Sequence, residues 1–154
     1  MGYDPDTGSL TWRVMLNARG PVGAEVGCVC KRRGYRVTRI DGISYLVHRV
    51  IWFYVHGAWP EHELDHINGV RHDNRIANLR IATRSQNACN TGVRKDSGSR
   101  VKGVRWHVKS KKWQARIIVN NRDISLGYFN EKSEAEEARL RAEEIHHGQY
   151  RRAA

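Results

Sequence analysis

Cysteine is scarce in this chain, which has three cysteines among 154 residues. The count is odd, and Cys28 and Cys30 are separated by a single residue, so the sequence offers no disulfide framework. It also lacks the paired Cys-x-x-Cys motifs of a structural zinc site. We therefore expect an intracellular protein without structural zinc, with Cys28 and Cys30 as small buried side chains of one strand.

Long apolar runs are also missing. No stretch approaches the roughly 18 apolar residues of a membrane span. The first six residues, Met1 to Asp6, are polar and acidic, which is not the pattern of a signal peptide. Five tryptophans, six tyrosines and a hydrophobic content of 40% nevertheless predict folded domains.

Acidic residues are outnumbered. Lys and Arg total 27 against 16 Asp and Glu, which gives a net charge of +11 with histidine neutral. This excess predicts a polyanionic partner, either nucleic acid or an anionic membrane surface. Because the sequence lacks a long basic amphipathic helix with an apolar anchor face, we favour nucleic acid and expect no membrane binding.

The first part of the chain predicts β structure followed by a helix and a hairpin. Apolar residues recur every three or four positions from Val47 to Val55, which predicts a helix that Gly57 can end. Residues 62–66 and 79–82 are predicted strands on either side of a polar loop. Thr83 and Gln86 fit a capping box, so a short helix should follow to about Asn90.

The second part predicts a three-stranded sheet and one helix. Strands are expected over residues 104–108, 113–119 and 123–126, and a capping box at Ser133 to Glu136 predicts a final helix. Residues 97–122 contain eight Lys or Arg and no acid, which is typical of a surface that follows phosphates. Strand alternation places Gln114, Arg116 and Ile118 on the outer face.

The richest run of chemical groups extends from Asp65 to Asn87. A carboxylate, an imidazole and several amides are expected to converge on the predicted strand, loop, strand and helix. One carboxylate and one amide oxygen can hold a hard cation such as Mg²⁺. Histidine is the natural base near neutral pH. A metal-held phosphate and a base that deprotonates water are the components of a phosphodiesterase.

Residues 44–90 resemble the HNH endonucleases of phage and intron homing type. The resemblance includes His48-Arg49, D-H-I-N-G at 65–69, D-N-R-I-x-N-L-R at 73–80 and the Gln-Asn pair at 86–87. It implies a ββα-metal (His-Me finger) fold, with His66 as general base and Asn78 bracing the loop. It also implies Asp65 and Asn87 as ligands of Mg²⁺ or Mn²⁺, because an amide oxygen is a hard ligand. His48 is a further site candidate, and a buried structural histidine is the alternative.

Residues 100–147 resemble the plant ethylene-response-factor (APETALA-type) DNA-binding domain. The matching motifs are K-G-V-R at 102–105, W-Q-A-R-I at 113–117, L-G-Y-F at 126–129 and E-A-E-E-A at 134–138. The resemblance implies a three-stranded antiparallel sheet in the major groove, packed on one helix. DNA-facing positions are then predicted at Lys102, Arg105, Gln114 and Arg116. Asp123 and Ser125 depart from the plant pattern, so base readout should differ.

Together these patterns predict an α+β protein with two domains. An HNH nuclease domain at 1–94 has an N-terminal β-rich segment and a ββα-metal core at about 61–91. A linker at 95–99 and an ethylene-response-factor-like domain at 100–148 follow.

The predicted function is metal-dependent hydrolysis of double-stranded DNA, as a homing-type enzyme of a phage or mobile element in a bacterial or phage-infected cell. We expect a monomer or homodimer without a small-molecule cofactor. From the nuclease half, DNA contacts are predicted at the phosphate-binding candidates Arg32, Arg33, Arg71, Arg75, Arg80 and Arg84. The alternative is a non-enzymatic, sequence-specific DNA-binding regulator with a degenerate nuclease domain.

Overall fold

The computed structural model describes residues 1–15, 21–93 and 97–150. The chain divides into two compact units, residues 1–83 and 84–154. Strands and helices occur in both units, which gives the α+β class that the sequence predicts. Within the described ranges, no helix is both long enough and apolar enough to cross a bilayer.

The first unit contains seven strands and one α-helix among its described residues. β1 (Gly2–Asp4) pairs antiparallel with β2 (Ser9–Thr11), and β6 (Glu63–His66) pairs antiparallel with β7 (Leu79–Ala82). A three-stranded antiparallel sheet has the order β3 (Cys28–Val29), β4 (Arg36–Ile40) and β5 (Ile43–Leu46). The helix α1 (Val47–His56) follows β5 directly. The predicted hairpin of residues 62–66 and 79–82 is therefore present.

The helix α1 forms where its apolar spacing predicts it. Gly57 ends the helix with a φ of 71°, a left-handed conformation that glycine adopts without steric cost, and its N–H donates to the Phe53 carbonyl at 2.8 Å. The inner face of α1 joins the core of this unit. The core consists of Leu10, Val26, Val47, Val50 and Ile51. The helix thereby fixes His48, which lies on the same buried face.

The prediction that Cys28 and Cys30 are buried is wrong. Cys28 is exposed and Cys30 is half-buried. The reason is that β3 is two residues long and pairs only with β4 at the edge of its sheet. A strand this short at a sheet edge has few neighbouring side chains beside it, so Cys28 and Cys30 are not enclosed.

The second unit contains the predicted sheet and helix. The strands β8 (Val104–His107), β9 (Lys112–Val119) and β10 (Arg122–Phe129) form an antiparallel sheet with β9 in the centre. The last strand runs beyond its predicted end because a bulge between Ser125 and Gly127 lets pairing continue. Two further helices are α2 (Arg84–Cys89) and α3 (Lys132–His147). Val104, Ala115 and Ala135 form the buried core of this unit.

The start and the inner face of α3 differ from the sequence prediction. The capping box uses Glu131 and Glu134 rather than Ser133 and Glu136, because the helix begins one residue before Ser133. Ala135 and Ala142 are buried as expected, whereas Ile145 is 76% exposed. Arg139 occupies the inner face instead, at 3% exposure, and pairs with Glu143.

The two compact units meet between Thr83 and Arg84, and the predicted domain boundaries at 94 and 100 stay predictions. The short helix α2 belongs to the second unit, whereas the sequence places it in the nuclease domain. Within this unit Lys102 contacts the end of α2, where its ammonium donates to the carbonyls of Ala88, Cys89 and Thr91. Residues 95 and 96 of the predicted linker lie outside the described residues, and Ser99 is buried.

Candidate active site

The candidate site of the first unit is built on the ladder of β6 and β7. Asp65 lies opposite Arg80 in this ladder, and His66 lies opposite Leu79. Because neighbouring side chains of a strand point to opposite faces, Asp65 and Arg80 share one face while His66 points to the other. Asp65 and His66 are 4% and 3% exposed. Both faces of the strand are therefore covered at these positions.

The imidazole of His66 is held by contacts from three other parts of the unit. Its Nε2 lies 3.3 Å from Oδ1 of Asn74. The centroid of its ring lies 4.9 Å from that of His48 and 5.8 Å from that of Tyr35. An amide oxygen only accepts hydrogen bonds, so the hydrogen of the neutral ring lies on Nε2. This tautomer leaves Nδ1 as the basic nitrogen.

Burial lowers the pKa of His66 from its usual 6.5. The hydrogen bond with Asn74 and the negative charges of Asp65 and Asp73 oppose this shift, whereas the positive charge of Arg71 adds to it. Because the net direction is downward, the imidazole is neutral at neutral pH. A neutral imidazole is the form that can accept a proton from water.

His48 contacts His66 from the buried face of α1. Its side chain is 4% exposed, and no described residue forms a hydrogen bond with its Nδ1. Burial, followed by His66 and Arg49, lowers the pKa of His48 to about 3. The structure therefore brings two neutral imidazoles together. A role of His48 in a reaction stays a prediction.

The loop between β6 and β7 is braced by the amide of Asn78. Its Oδ1 accepts from the N–H of Asn68 at 3.0 Å, and its Nδ2 donates to Oδ1 of Asn68 at 3.0 Å. The same Nδ2 donates to the carbonyl of Asp73 at 2.8 Å. Asn78 is buried at 8% exposure. These are contacts that brace a loop, and they hold the backbone next to Asn74.

Asn74 is a site residue that the sequence pattern does not indicate. It is 2% exposed, its Oδ1 contacts His66, and its carbonyl accepts from the hydroxyl of Tyr3 at 3.3 Å. The D-N-R motif at 73–75 contains this residue. However, an asparagine in a polar loop indicates a turn rather than a buried side chain.

Two of the arginines predicted to bind DNA are paired with carboxylates. Arg80 donates from Nε and Nη2 to Oδ2 of Asp65, at 2.9 and 2.6 Å. Arg75 donates to both carboxylate oxygens of Asp73, at 2.8 and 2.6 Å, and these bonds lower the pKa of Asp73 to about 2. Arg84 is exposed at the start of α2. A phosphate would therefore compete with internal partners at Arg75 and Arg80, and their DNA contacts stay predictions.

The predicted metal ligands lie in different units of the chain. Asp65 is on β6, and Asn87 is half-buried on α2. Among the described residues, no group of three or more His, Cys, Asp or Glu is arranged to hold a metal ion. A closed structural site needs about four protein ligands. A carboxylate oxygen and an amide oxygen are ligand types that a hard cation such as Mg²⁺ accepts, beside water and phosphate oxygens.

The outer face of the second unit's sheet carries a chain of side-chain hydrogen bonds. Gln114 lies opposite Arg105 on β8 and opposite Tyr128 on β10. Its Oε1 accepts from Nε of Arg105 at 2.9 Å, and its Nε2 donates to the hydroxyl of Tyr128 at 3.1 Å. This bond uses Nε of Arg105 and does not involve its two terminal nitrogens.

The other predicted DNA-binding residues of this unit also have partners. Arg116 pairs with Asp123 at 2.7 Å, and both side chains are nearly half exposed. Such a surface pair contributes about 0–1 kcal/mol, so a phosphate can compete for Arg116. Lys102 donates to three carbonyls, which engages all three protons of its ammonium. A phosphate contact would have to displace these bonds.

Comparison with known proteins relates part of the chain to a known family. Residues 45–89 match the model of a family described as HNH endonuclease, which covers less than a third of the chain. The matched segment contains α1, β6, β7 and α2 and includes Asp65, His66 and Asn78. No curated protein and no solved structure matches the chain. The match supports a nuclease, and HNH nucleases generally use a divalent metal.

Proposed function

We propose that this protein is a metal-dependent endonuclease that hydrolyses phosphodiester bonds of double-stranded DNA. The observation that carries the proposal is His66, a buried neutral imidazole whose Nε2 is bound to Asn74, within the segment that matches HNH endonucleases. The net charge of +11 supports a polyanionic substrate. The proposed enzyme acts inside a bacterial or phage-infected cell as a homing-type nuclease.

In the proposed reaction, Nδ1 of His66 removes a proton from a water molecule as the water oxygen attacks phosphorus. The bond between phosphorus and the 3′-oxygen breaks, and this oxygen takes a proton from solvent water, which leaves a 5′-phosphate and a 3′-hydroxyl. Asn74 positions the imidazole by accepting from Nε2–H. Asn78 holds the loop that carries Asn74. The reaction cuts one strand in each event, so a double-strand break needs a dimer or a second encounter.

We assign the proposed metal ligands to Asp65 and Asn87. When bound, Mg²⁺ or Mn²⁺ supplies Lewis acidity that stabilises charge on the phosphate and on the leaving oxygen. Asp65 contributes a buried carboxylate, of which Oδ2 is bonded to Arg80. Asn87 is proposed as the second metal ligand because of its position on α2 and its spacing from His66 in the sequence.

We propose that the outer sheet face of the second unit binds DNA, as the resemblance to ethylene-response-factor domains implies. The antiparallel sheet β8–β9–β10 with α3 packed against it supports this proposal. Arg105 and Arg116 supply positive charge on the outer face. We therefore propose that this protein is a mobile-element enzyme, in which the first unit cuts DNA and the second unit selects the target.

We expect Gln114→Ala to weaken DNA binding by about two- to tenfold, the effect of losing one oriented hydrogen bond. Gln114 holds Nε of Arg105 by a hydrogen bond, which the substitution removes. The substitution leaves the net charge of the protein unchanged. The salt dependence of the dissociation constant should therefore stay constant, whereas Arg116→Ala should lower its slope by about 0.9. Salt titration of DNA binding by fluorescence anisotropy measures both quantities. Unchanged affinity in Gln114→Ala would show that the hydrogen bond does not serve DNA binding.

The central test is nicking of supercoiled plasmid DNA by the full chain. We expect conversion to the relaxed form with Mg²⁺ or Mn²⁺ and none with a chelator. The substrate should include random target sequences, because the second unit is expected to select the site. Products should carry a 5′-phosphate that a ligase can rejoin. DNA that stays supercoiled with either metal, under conditions where the protein binds it, would refute the endonuclease.

The second candidate is a DNA-binding regulator whose nuclease segment no longer catalyses. One observation favours it, because Oδ2 of the proposed metal ligand Asp65 is bonded twice by Arg80. An arginine in this position competes with a cation for the carboxylate. Under this alternative, the chain binds DNA with the same affinity with and without metal and leaves it intact.

A further inference from the structure

Arg71 is an exposed arginine whose guanidinium is nevertheless fixed at two points. It lies in the loop between β6 and β7. Its Cζ lies 5.0 Å from the centroid of the Tyr35 ring, and its Nη1 donates to the carbonyl of Arg33 at 2.9 Å. Holding a long charged side chain costs conformational entropy, which these two contacts offset. The guanidinium is thus oriented before any ligand binds.

The ring of Tyr35 connects Arg71 with the imidazole of the candidate active site. The same ring lies 5.8 Å from that of His66 and 5.3 Å from that of His48. The positive charge of Arg71 also contributes to the lowered pKa of His66, as expected of a nearby cation. The ring of Tyr35 therefore contacts both the guanidinium of Arg71 and the imidazole of the proposed general base.

Arg71 differs from its neighbours Arg75 and Arg80 in its partners. Arg75 is bound to Asp73 and Arg80 to Asp65. Within the ranges that the structure describes, no carboxylate pairs with Arg71, and one carbonyl is its hydrogen-bond acceptor. A guanidinium has five N–H donors in a planar fork that matches phosphate oxygens. The guanidinium of Arg71 can therefore donate further hydrogen bonds to an anion.

We propose that Arg71 binds the scissile phosphate and stabilises the negative charge that develops on its non-bridging oxygens, with Tyr35 as the platform that orients the guanidinium. This assignment rests on the proposed endonuclease function. A donor that is already oriented stabilises a transition state without reorganisation. Stacking on Tyr35 supplies that orientation, and the shared ring keeps Arg71 close to His66.

The first experiment compares Arg71→Ala with Arg39→Ala in single-turnover nicking. Loss of one such oriented donor is expected to lower the rate constant by about 100-fold, while the dissociation constant for DNA changes by only a few fold. Arg39 is the matched control, because it is exposed and donates to a carbonyl, that of Gly42, at 2.9 Å. It lies four residues along the chain from Tyr35, about 13 Å in an extended strand. Its substitution removes the same charge and should leave nicking near wild type.

The second experiment separates a substrate contact from a structural role. Adding guanidinium ion at non-denaturing concentration should restore part of the activity of Arg71→Ala and leave that of Arg39→Ala unchanged. Arg71→Lys should have an intermediate rate, because lysine keeps the charge but lacks the planar fork. Tyr35→Phe should nick like wild type, since a phenyl ring still stacks, whereas Tyr35→Leu should be slower.

The outcomes distinguish the inference from the function on which it rests. If the wild-type chain nicks no DNA, the endonuclease itself is refuted. If wild type nicks and Arg71→Ala nicks at the rate of Arg39→Ala, the assignment of Arg71 is overturned and the endonuclease stands. If Arg71→Ala is slow but guanidinium does not restore it while thermal unfolding shows a lower Tm, Arg71 is structural and the assignment is also overturned.

Discussion

Replacing His66 with alanine is expected to lower the rate of DNA nicking by about a hundredfold or more, the effect of losing a general base. The expectation rests on the neutral, buried imidazole whose Nε2 contacts Asn74 and whose Nδ1 is left as the basic nitrogen. Binding of DNA should persist, because the proposed affinity comes from cationic side chains elsewhere. Single-turnover nicking, measured beside the dissociation constant, separates the two effects.

The matched control for this substitution is Asn74→Ala. It leaves the imidazole in place and removes the acceptor that selects the Nε2–H tautomer. We expect a smaller loss of rate, together with a change in the imidazole ¹⁵N chemical shifts, which report the tautomer of His66 directly. Equal nicking by wild type and His66→Ala would show that another group is the base. His48, whose ring contacts that of His66, is then the first residue to replace.

The elements that could be predicted from the sequence are those set by local patterns. The helix α1 follows from apolar residues at helical spacing and from Gly57, and both were in the sequence. The three strands of the second unit follow from alternation between turn residues. By contrast, the capping box of α3 was predicted at Ser133 and Glu136 but is formed by Glu131 and Glu134. Two overlapping capping patterns are present at the start of this helix, and the local sequence does not select between them.

The contacts of the candidate site could not be predicted in the same way, because they join residues that are distant in sequence. Tyr35 meets His66 across 31 positions, and nothing in the motif at 65–80 indicates the ring. The pairing of Arg80 with Asp65 depends on strand register, which a hydrophobic pattern alone does not give here. The buried state of Asn74 depends on how the loop closes on Asn78.

The bond between Arg80 and Asp65 changes what the mutation of a predicted metal ligand should do. Both side chains are largely buried, at 15% and 5% exposure, and two hydrogen bonds join them. Asp65→Ala leaves the guanidinium of Arg80 buried without this partner. We expect a loss of about 3–5 kcal/mol in the free energy of unfolding, the cost of breaking a buried ion pair by removing one side. Urea denaturation measures this loss.

A loss of nicking in Asp65→Ala alone would therefore not identify a metal ligand, since unfolding has the same effect. The double variant Asp65→Leu with Arg80→Leu removes both charges, and replacing a buried pair by apolar residues is often neutral or stabilising. It should recover most of the stability lost in Asp65→Ala. Nicking should stay absent at every concentration of Mg²⁺ or Mn²⁺, because the carboxylate proposed to hold the cation is gone. If the stable double variant nicks DNA like wild type, Asp65 serves only to pair with Arg80, and the cation must be held by other residues.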